Sequence, residues 1–163
     1  MTINRQRRQS AASAPGATPE AIIRINDAGH LGAEGPASLA GVVERGDARG
    51  RELGFPTANI SVPHADIPDG VWAGTVQVEP ATHGNTYLAA VSIGRRPTYY
   101  RKGLRLLEAH LLDFNANLYG LTVLVTLHVH VRAQRRFRDT EELVTQIRDD
   151  VNYVRSWAAE YQQ

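Results

Sequence analysis

The residues best suited to chemistry lie in one segment, from Gly41 to Ile60, where glycines alternate with basic side chains. Four glycines and three arginines stand between two apolar, strand-like pieces: Gly41, Gly46, Gly50, Gly54, Arg45, Arg49 and Arg51. Glycines let backbone N–H groups approach an anion closely, and arginines pair with phosphate oxygens. The spacing matches neither G-x-x-x-x-G-K-[ST] nor a strand-to-helix G-x-G-x-x-G. The segment is therefore either an anion-binding loop or a purely structural hairpin loop.

Two neutral oxygen ligands follow in the same segment, at Thr57 and Asn59. In an extended chain, side chains two residues apart point to the same side and can share a hard cation such as Mg²⁺. Mg²⁺ held by a few protein oxygens together with phosphates is the usual arrangement in phosphoryl transfer. The same two residue types also suit an Asx or Ser/Thr turn that ends the loop.

The elements that must position this segment have the two-residue period of β-strands. In residues 121–132 the odd-numbered positions from Val123 to Val131 are all apolar, and the opposite face carries Thr126, His128, His130 and Arg132. This alternation predicts a strand with one buried face. Further strands are predicted at residues 38–43, 70–79, 86–94 and 104–114, the last with Leu106, Glu108, His110 and Leu112 on one face.

After Phe137 the period changes to that of a helix. Asp139 can cap it, with Glu142 three residues on, and an apolar stripe recurs every three or four residues: Leu143, Ile147, Val151, Val154, Trp157 and Tyr161. Five or six strands thus precede one C-terminal helix, without βαβ alternation. This order predicts an antiparallel barrel or sandwich with a helix packed against it, and it disfavours a Rossmann-type sheet.

The length and composition narrow the class of protein. The chain has 163 residues, a formal net charge of +1, no cysteine and 42% apolar residues. This suits a single domain, predicted at 38–163, after a basic disordered tail (1–19) and a short helix with a linker (20–37). The low charge argues against a nucleic-acid partner, and the lack of cysteine excludes disulfides, thiolate nucleophiles and Cys-ligated zinc. Because no apolar stretch spans a bilayer or forms a signal sequence, we expect a cytoplasmic monomer without membrane contact.

Several motifs together resemble the riboflavin kinase (flavokinase) family. The segment Gly46–Asn59 is similar to the family signature, and further matches follow in the family's order: Gly70–Gly74, Val91–Thr98, Glu108–Phe114, Leu118–Gly120, Val131–Phe137, and Glu142, Leu143 and Asp150 in the helix. The resemblance covers the chain from about Leu39 to Trp157. It implies a mainly β fold, a six-stranded antiparallel Greek-key barrel followed by a C-terminal α-helix, which agrees with the periodicity.

The resemblance also implies an activity, the ATP-dependent phosphorylation of the riboflavin 5′-hydroxyl to FMN, with ADP as second product and Mg²⁺ as cofactor. Thr57 and Asn59 would hold Mg²⁺ and phosphate oxygens, and Glu108 would be the general base. The implied nucleotide-binding residues include these two and their neighbours: Gly46, Arg49, Gly50, Arg51, Gly54, Pro56, Thr57 and Asn59. On purely structural grounds, Glu108 also suits a salt bridge at a strand edge or barrel mouth.

The last strand and the following loop carry the implied flavin-binding residues, Arg132 and Phe137. An aromatic ring can lie against the isoalloxazine, and a guanidinium can reach the flavin or a phosphate. Phe137 suits helix–barrel packing equally well. Residues 133–136 read Ala-Gln-Arg-Arg, where the family often carries an acidic residue.

Other features have simpler interpretations. His128 and His130 share a predicted strand face but lack a third ligand, so barrel-wall histidines are favoured over a metal pair. The arginines between 132 and 138 suit a solvated rim or nucleotide contacts better than nucleic-acid binding. Bacterial relatives often carry an adenylyltransferase domain with a His-x-x-His element, which residues before Leu39 lack. The expectation is a monofunctional kinase that makes FMN and no FAD; the alternative is a non-catalytic flavin- or nucleotide-binding sensor.

Overall fold

The computed structural model of the chain describes residues 36–62, 67–95 and 105–161. Within them lie six strands, one helical turn and one long helix. The strands are β1 (Ala37–Val42), β2 (Ala58–Val62), β3 (Gly70–Val78), β4 (Thr86–Gly94), β5 (Arg105–Leu111) and β6 (Thr122–Arg132). The helices are α1 (Arg49–Glu52) and α2 (Thr140–Tyr161), and a 3₁₀ turn spans Pro80–Thr82. Four residues of the predicted loop after β1 therefore form a helical turn.

The six strands form one antiparallel sheet in the order β1-β6-β3-β4-β5-β2. The two edge strands approach each other just beyond the end of β1, where the backbone N–H of Glu44 donates to the carbonyl of Asn59 at 2.8 Å. The sheet is therefore a nearly closed barrel, and α2 packs against its outer face. The predicted mainly β architecture, with six antiparallel strands and a C-terminal helix, is confirmed.

Alternating side chains of the strands fill the barrel interior. Leu39 and Ile60 on the edge strands meet Val91 and Ile93 on β4 and Leu107 on β5, and all five are at most 2% exposed. Successive side chains of a strand point to opposite faces, so the residues between them lie on the outer face of the barrel. That outer face is where the polar side chains of β2, β4 and β5 must lie.

Strand β6 changes face near its end, which corrects the prediction of one continuous apolar face. In its register with β3, Gly74 lies opposite Leu127 but Ala73 lies opposite Val129, and a second shift follows before Arg132. Each shift is a β-bulge that adds one residue to β6. Leu127 is in the barrel core, whereas Val129 and Val131 pack with the helix. The bulges thus turn the end of β6 towards α2.

Helix α2 begins as the sequence predicts. The Asp139 carboxylate accepts a hydrogen bond from the backbone N–H of Glu142 at 2.8 Å, and the Glu142 carboxylate accepts one from the N–H of Arg138 at 2.8 Å. Val154 is fully buried against Ala73 of β3 and Leu112 after β5. The predicted apolar stripe ends earlier than expected, because Tyr161 is 72% exposed.

Some predicted features lie outside the described residues. These include the tail (1–19), almost all of the helix and linker (20–37), and residues 96–98 of the Val91–Thr98 motif. Ala37, predicted to end the linker, is the first residue of β1. In the described ranges, no helix is long and apolar enough to cross a membrane.

We expect Asp139→Ala to lower the free energy of unfolding by about 1 kcal/mol, because it leaves an N–H group of the first helical turn without its acceptor. Chemical denaturation monitored by circular dichroism measures this loss. Asp149→Ala is the matched control, since it removes the same charge from an exposed position within α2. An equal loss in both variants would contradict the capping role.

We expect His128 to make stability depend on pH. Its ring lies 5.1 Å from that of Trp157, and burial lowers the pKa of its imidazole. The unfolded chain, with a pKa of about 6.5, therefore binds a proton that the folded chain resists, and stability falls as pH drops below that value. The melting temperature of His128→Gln should decrease less between pH 7.5 and 5.5 than that of the unaltered protein. Parallel decreases in the two proteins would contradict this.

Candidate active site

Two cavities meet at Thr57, one beside the barrel core and one on the outer face of the barrel. The first, which we call the loop cavity, measures about 560 Å³ and lies between the α1–β2 segment and residues 114–119 after β5. The second, the helix cavity, measures about 200 Å³ and lies between the barrel and α2. In the part of the chain that the structure describes, Thr57 is the one residue that lines both cavities. A group bound near Thr57 is thus accessible from both sides.

The helical turn α1 directs its two arginines to different cavities. Arg49 lines the helix cavity and Arg51 lines the loop cavity, because residues two apart on a helix point to nearly opposite sides. Gly54 ends the turn in the left-handed conformation with φ 86°, which glycine adopts without strain. At Gly50 an added Cβ would lie 2.4 Å from the carbonyl oxygen of Phe55, so only glycine permits this close turn.

Asn59 lies beneath the loop and is 7% exposed. Its amide nitrogen donates to the carbonyl of Thr57 at 3.4 Å, and Gly46 lies against the same side chain. The Oδ1 atom of Asn59 accepts no hydrogen bond from any described residue. A buried amide oxygen without a donor, two residues from Thr57, fits a hard cation such as Mg²⁺.

The remaining ligands of such a cation would not come from a protein cluster. In residues 36–62, 67–95 and 105–161, there is no group of three or more His, Cys, Asp or Glu side chains that could hold a metal. Mg²⁺ usually keeps several waters and binds through few protein oxygens together with substrate phosphates. The donor set at Thr57 and Asn59 therefore fits a metal that arrives with a nucleotide.

Glu108 lies at the centre of β5 and lines the helix cavity. In the strand register it stands opposite Asn59 on β2 and Ser92 on β4, so the three side chains lie on the same face. The Ser92 hydroxyl accepts a hydrogen bond from the Gln134 amide at 2.8 Å. A half-buried carboxylate is thus held beside the Thr57–Asn59 segment, within a polar row across three strands.

The far wall of the helix cavity is an ion pair. Arg132 donates to both carboxylate oxygens of Asp150, at 2.9 and 2.8 Å, and Asp150 is 4% exposed. The Arg132 guanidinium carbon also lies 5.8 Å from the ring centre of Phe137, which lines the same cavity. The bidentate pair neutralises both charges and fixes the end of β6 to the middle of α2.

The predicted site residues thus fall into four groups. Glu108, Arg49, Gly50, Arg132 and Phe137 line the helix cavity, and Arg51 and Pro56 line the loop cavity. Thr57 lines both. Gly46, Gly54 and Asn59 line neither cavity; they support the loop from below or end its turn.

Other cavity residues were not predicted as site residues. In the helix cavity they include Phe55, His110, Gln134 and Asp150; in the loop cavity, Arg45, Phe114, Asn115, Asn117 and Tyr119. The Leu-Tyr-Gly motif (Leu118–Gly120) already pointed to Tyr119, but the sequence did not indicate which residue Tyr119 contacts. In the structure, the Arg45 guanidinium carbon lies 4.8 Å from the centre of the Tyr119 ring.

The histidine pair and the arginine cluster have structural partners. His128 contacts Trp157 of α2, whereas His130 lies 4.6 Å from Trp72 of β3, so the two rings have different neighbours. Arg135 and Arg138 pair with the Glu142 carboxylate at 2.6 and 3.3 Å. The carboxylate that holds the loop before α2 is therefore that of Glu142, which lies in the helix and not in the loop.

Comparison with known proteins gives a consistent result. The family model for riboflavin kinase matches residues 33–158. The bifunctional riboflavin kinase/FMN adenylyltransferase of Bacillus subtilis is 36% identical over 119 residues, and its counterpart in Escherichia coli K12 is 41% identical over 118. Both matches cover 71% of this chain, which spans 36% of the length of each relative.

A solved structure supports the same assignment. The crystal structure of riboflavin kinase from Trypanosoma brucei superposes with a TM-score of 0.55 at 29% identity, and the match covers 80% of this chain and 85% of that one. The family-model match, residues 33–158, includes all six strands and α2 as far as Ala158. The chain belongs to the riboflavin kinase family.

Proposed function

We propose that the chain transfers the terminal phosphoryl group of ATP to the 5′-hydroxyl of riboflavin, giving FMN and ADP. The position of Thr57 between the two cavities carries this proposal. Phosphoryl transfer requires the donor and the acceptor to approach one phosphorus atom in line, from opposite sides. Two cavities that share one residue provide such an arrangement, and family membership points to the same reaction.

The loop cavity is the proposed nucleotide site. Its volume of about 560 Å³ lies within the usual range for small-molecule sites. Phe114 and Tyr119 offer aromatic surface for a purine base, and Asn115 and Asn117 offer polar groups. Arg51 lines the cavity together with Thr57, so a triphosphate would extend towards these two residues.

The helix cavity is the proposed flavin site. Leu143 and Ile147 of α2 and Phe137 supply apolar surface for the isoalloxazine ring. Glu108 lies on the opposite, barrel side of the cavity, where the ribityl chain would end. Since Arg132 already pairs with Asp150, we propose that it shapes the cavity wall and holds Phe137, in addition to any direct flavin contact.

Glu108 is the proposed general base. A primary alcohol is a poor nucleophile at neutral pH, so a carboxylate that accepts its proton as the new O–P bond forms lowers the barrier. Thr57 and Asn59 would hold Mg²⁺, which when bound neutralises charge on the phosphates. Positioning and charge neutralisation should supply most of the rate enhancement.

FMN is the proposed sole product, and the alternative of a non-catalytic sensor is disfavoured. A protein that only binds flavin has no need for a carboxylate beside the Thr57–Asn59 segment. The monomeric state, the cytoplasmic location and the absence of a nucleic-acid partner stay predictions.

Product analysis tests the proposal directly. The protein is incubated with riboflavin, ATP and Mg²⁺, and FMN and FAD are separated by chromatography. We expect FMN in amounts that increase with time, and no FAD. Tight riboflavin binding without FMN would favour the sensor, and FAD would contradict the single product.

Glu108→Gln should reduce kcat by about 10²-fold or more, while riboflavin and ATP still bind, because the amide cannot accept the proton. Steady-state kinetics and quenching of flavin fluorescence measure the two effects separately. Glu141→Gln, at an exposed position in the first turn of α2, is the matched control and should retain full activity. An unchanged kcat in Glu108→Gln would show that Glu108 is not the general base.

Thr57→Ala should increase the Mg²⁺ concentration needed for half-maximal rate, because it removes one neutral oxygen ligand. Thr57→Ser keeps the hydroxyl, so its Mg²⁺ concentration for half-maximal rate should be close to that of the unaltered protein. Titration of the rate with Mg²⁺ at saturating riboflavin measures both variants, with Thr145→Ala on the exposed face of α2 as control. Equal Mg²⁺ dependence in Thr57→Ala and the unaltered protein would argue against a metal ligand at Thr57.

A further inference from the structure

His110 contacts the peptide that directly precedes Thr57. Its Nδ1 atom lies 2.8 Å from the carbonyl oxygen of Pro56. A carbonyl oxygen only accepts hydrogen bonds, so Nδ1 carries a hydrogen and donates it.

The ring of His110 is also held on its other side. Its centre lies 5.5 Å from that of Phe55, with an angle of 76° between the planes, which is the edge-to-face arrangement that aromatic rings prefer. Phe55 in turn donates its backbone N–H to the carbonyl of Gly50 in α1 at 2.7 Å. The imidazole therefore links the segment from α1 to β2 with the middle of the barrel.

His110 lies on the same strand as the proposed base, Glu108. His110 follows Glu108 by two residues on β5, so both side chains lie on the same face and line the helix cavity. One rigid strand thus carries both the proposed base and the donor that holds the Pro56 carbonyl. The separation between Glu108 and Thr57 then depends on the pairing of β2 with β5 and on this side-chain hydrogen bond from β5 to the segment before β2.

We propose that His110 is a positioning residue for phosphoryl transfer. By donating to the Pro56 carbonyl, it keeps the Thr57 hydroxyl at the boundary of the two cavities. Without this bond, the segment before β2 loses its side-chain anchor on β5, and Thr57 is no longer fixed relative to Glu108. This inference rests on the proposed function, since it assigns His110 a role in that same reaction.

Two substitutions separate the hydrogen bond from packing. His110→Leu keeps apolar bulk against Phe55 but removes the donor, whereas His110→Asn places an amide N–H close to the position of Nδ1. We expect His110→Leu to raise the Mg²⁺ concentration for half-maximal rate and to lower kcat/KM for ATP, each by about tenfold, which corresponds to the loss of one hydrogen bond in a positioned site. His110→Asn should recover at least half of this loss on a logarithmic scale.

The controls distinguish a positioning role from a structural one. His83→Asn makes the same change in an exposed turn that lines neither cavity, and it should leave the kinetics unchanged. Thermal unfolding of each variant verifies the fold. Where His110→Leu does not fold, His110→Gln replaces it, because its amide lies one bond farther out and cannot reproduce the Nδ1 geometry.

The outcomes are distinct for the two proposals. The role of His110 would be overturned if His110→Leu, or His110→Gln in its place, kept the Mg²⁺ dependence and the kcat/KM for ATP of the unaltered protein. It would also be overturned if the kcat/KM of His110→Asn were no higher than that of the variant without the donor. FMN formation by the unaltered protein, measured in the same series, tests the proposed function separately. Its absence would contradict the reaction itself rather than the contribution of His110.

Discussion

The pairing of β2 with β5 is the constraint on which the candidate site depends. It places Asn59 opposite Glu108 and brings the Thr57 segment to the strand that carries the proposed base. Because side chains alternate between faces, a shift of one residue would move Glu108 into the apolar interior and Leu107 out of it. Burial of Ile60, Leu107 and their neighbours in the core therefore stabilises the register that the chemistry needs. The apolar core and the polar site are two faces of the same strands.

The other side of the site depends on β6. Its two bulges turn Val129 and Val131 towards the helix, so that Arg132 reaches Asp150 in the middle of α2. Without them, the alternation would continue along the strand and direct these valines into the barrel. Irregular pairing in one strand thus creates the contact surface for α2, and with it the helix cavity. The Arg132–Asp150 ion pair then fixes the position of α2, which forms one wall of the helix cavity, relative to β6.

The sequence was sufficient for features that local patterns determine. Strand periods predicted five or six antiparallel strands before a C-terminal helix, and the family resemblance implied a six-stranded barrel. Asp139 predicted the start of α2, and the motifs around Thr57 and Glu108 identified the family. Features that depend on a partner distant in sequence were not predictable. The bulges of β6, for example, appear only in its pairing with β3. Likewise, the hydrogen bond from His110 joins residues 54 positions apart. The roles of the individual site residues stay predictions.

The two sides of the candidate site differ in how firmly the backbone is held. Glu108 and His110 lie on a central strand paired on both sides, which leaves little freedom to their backbone. Thr57 directly precedes the edge strand β2, and α1 before it is a single helical turn with local backbone hydrogen bonds. The proposed base must be held in place, whereas the proposed nucleotide site must admit and release a large anion. The barrel satisfies the first requirement through its core. The short α1–β2 segment suits the second, because the backbone hydrogen bonds of α1 are all local and His110 is the side-chain anchor of the segment on β5.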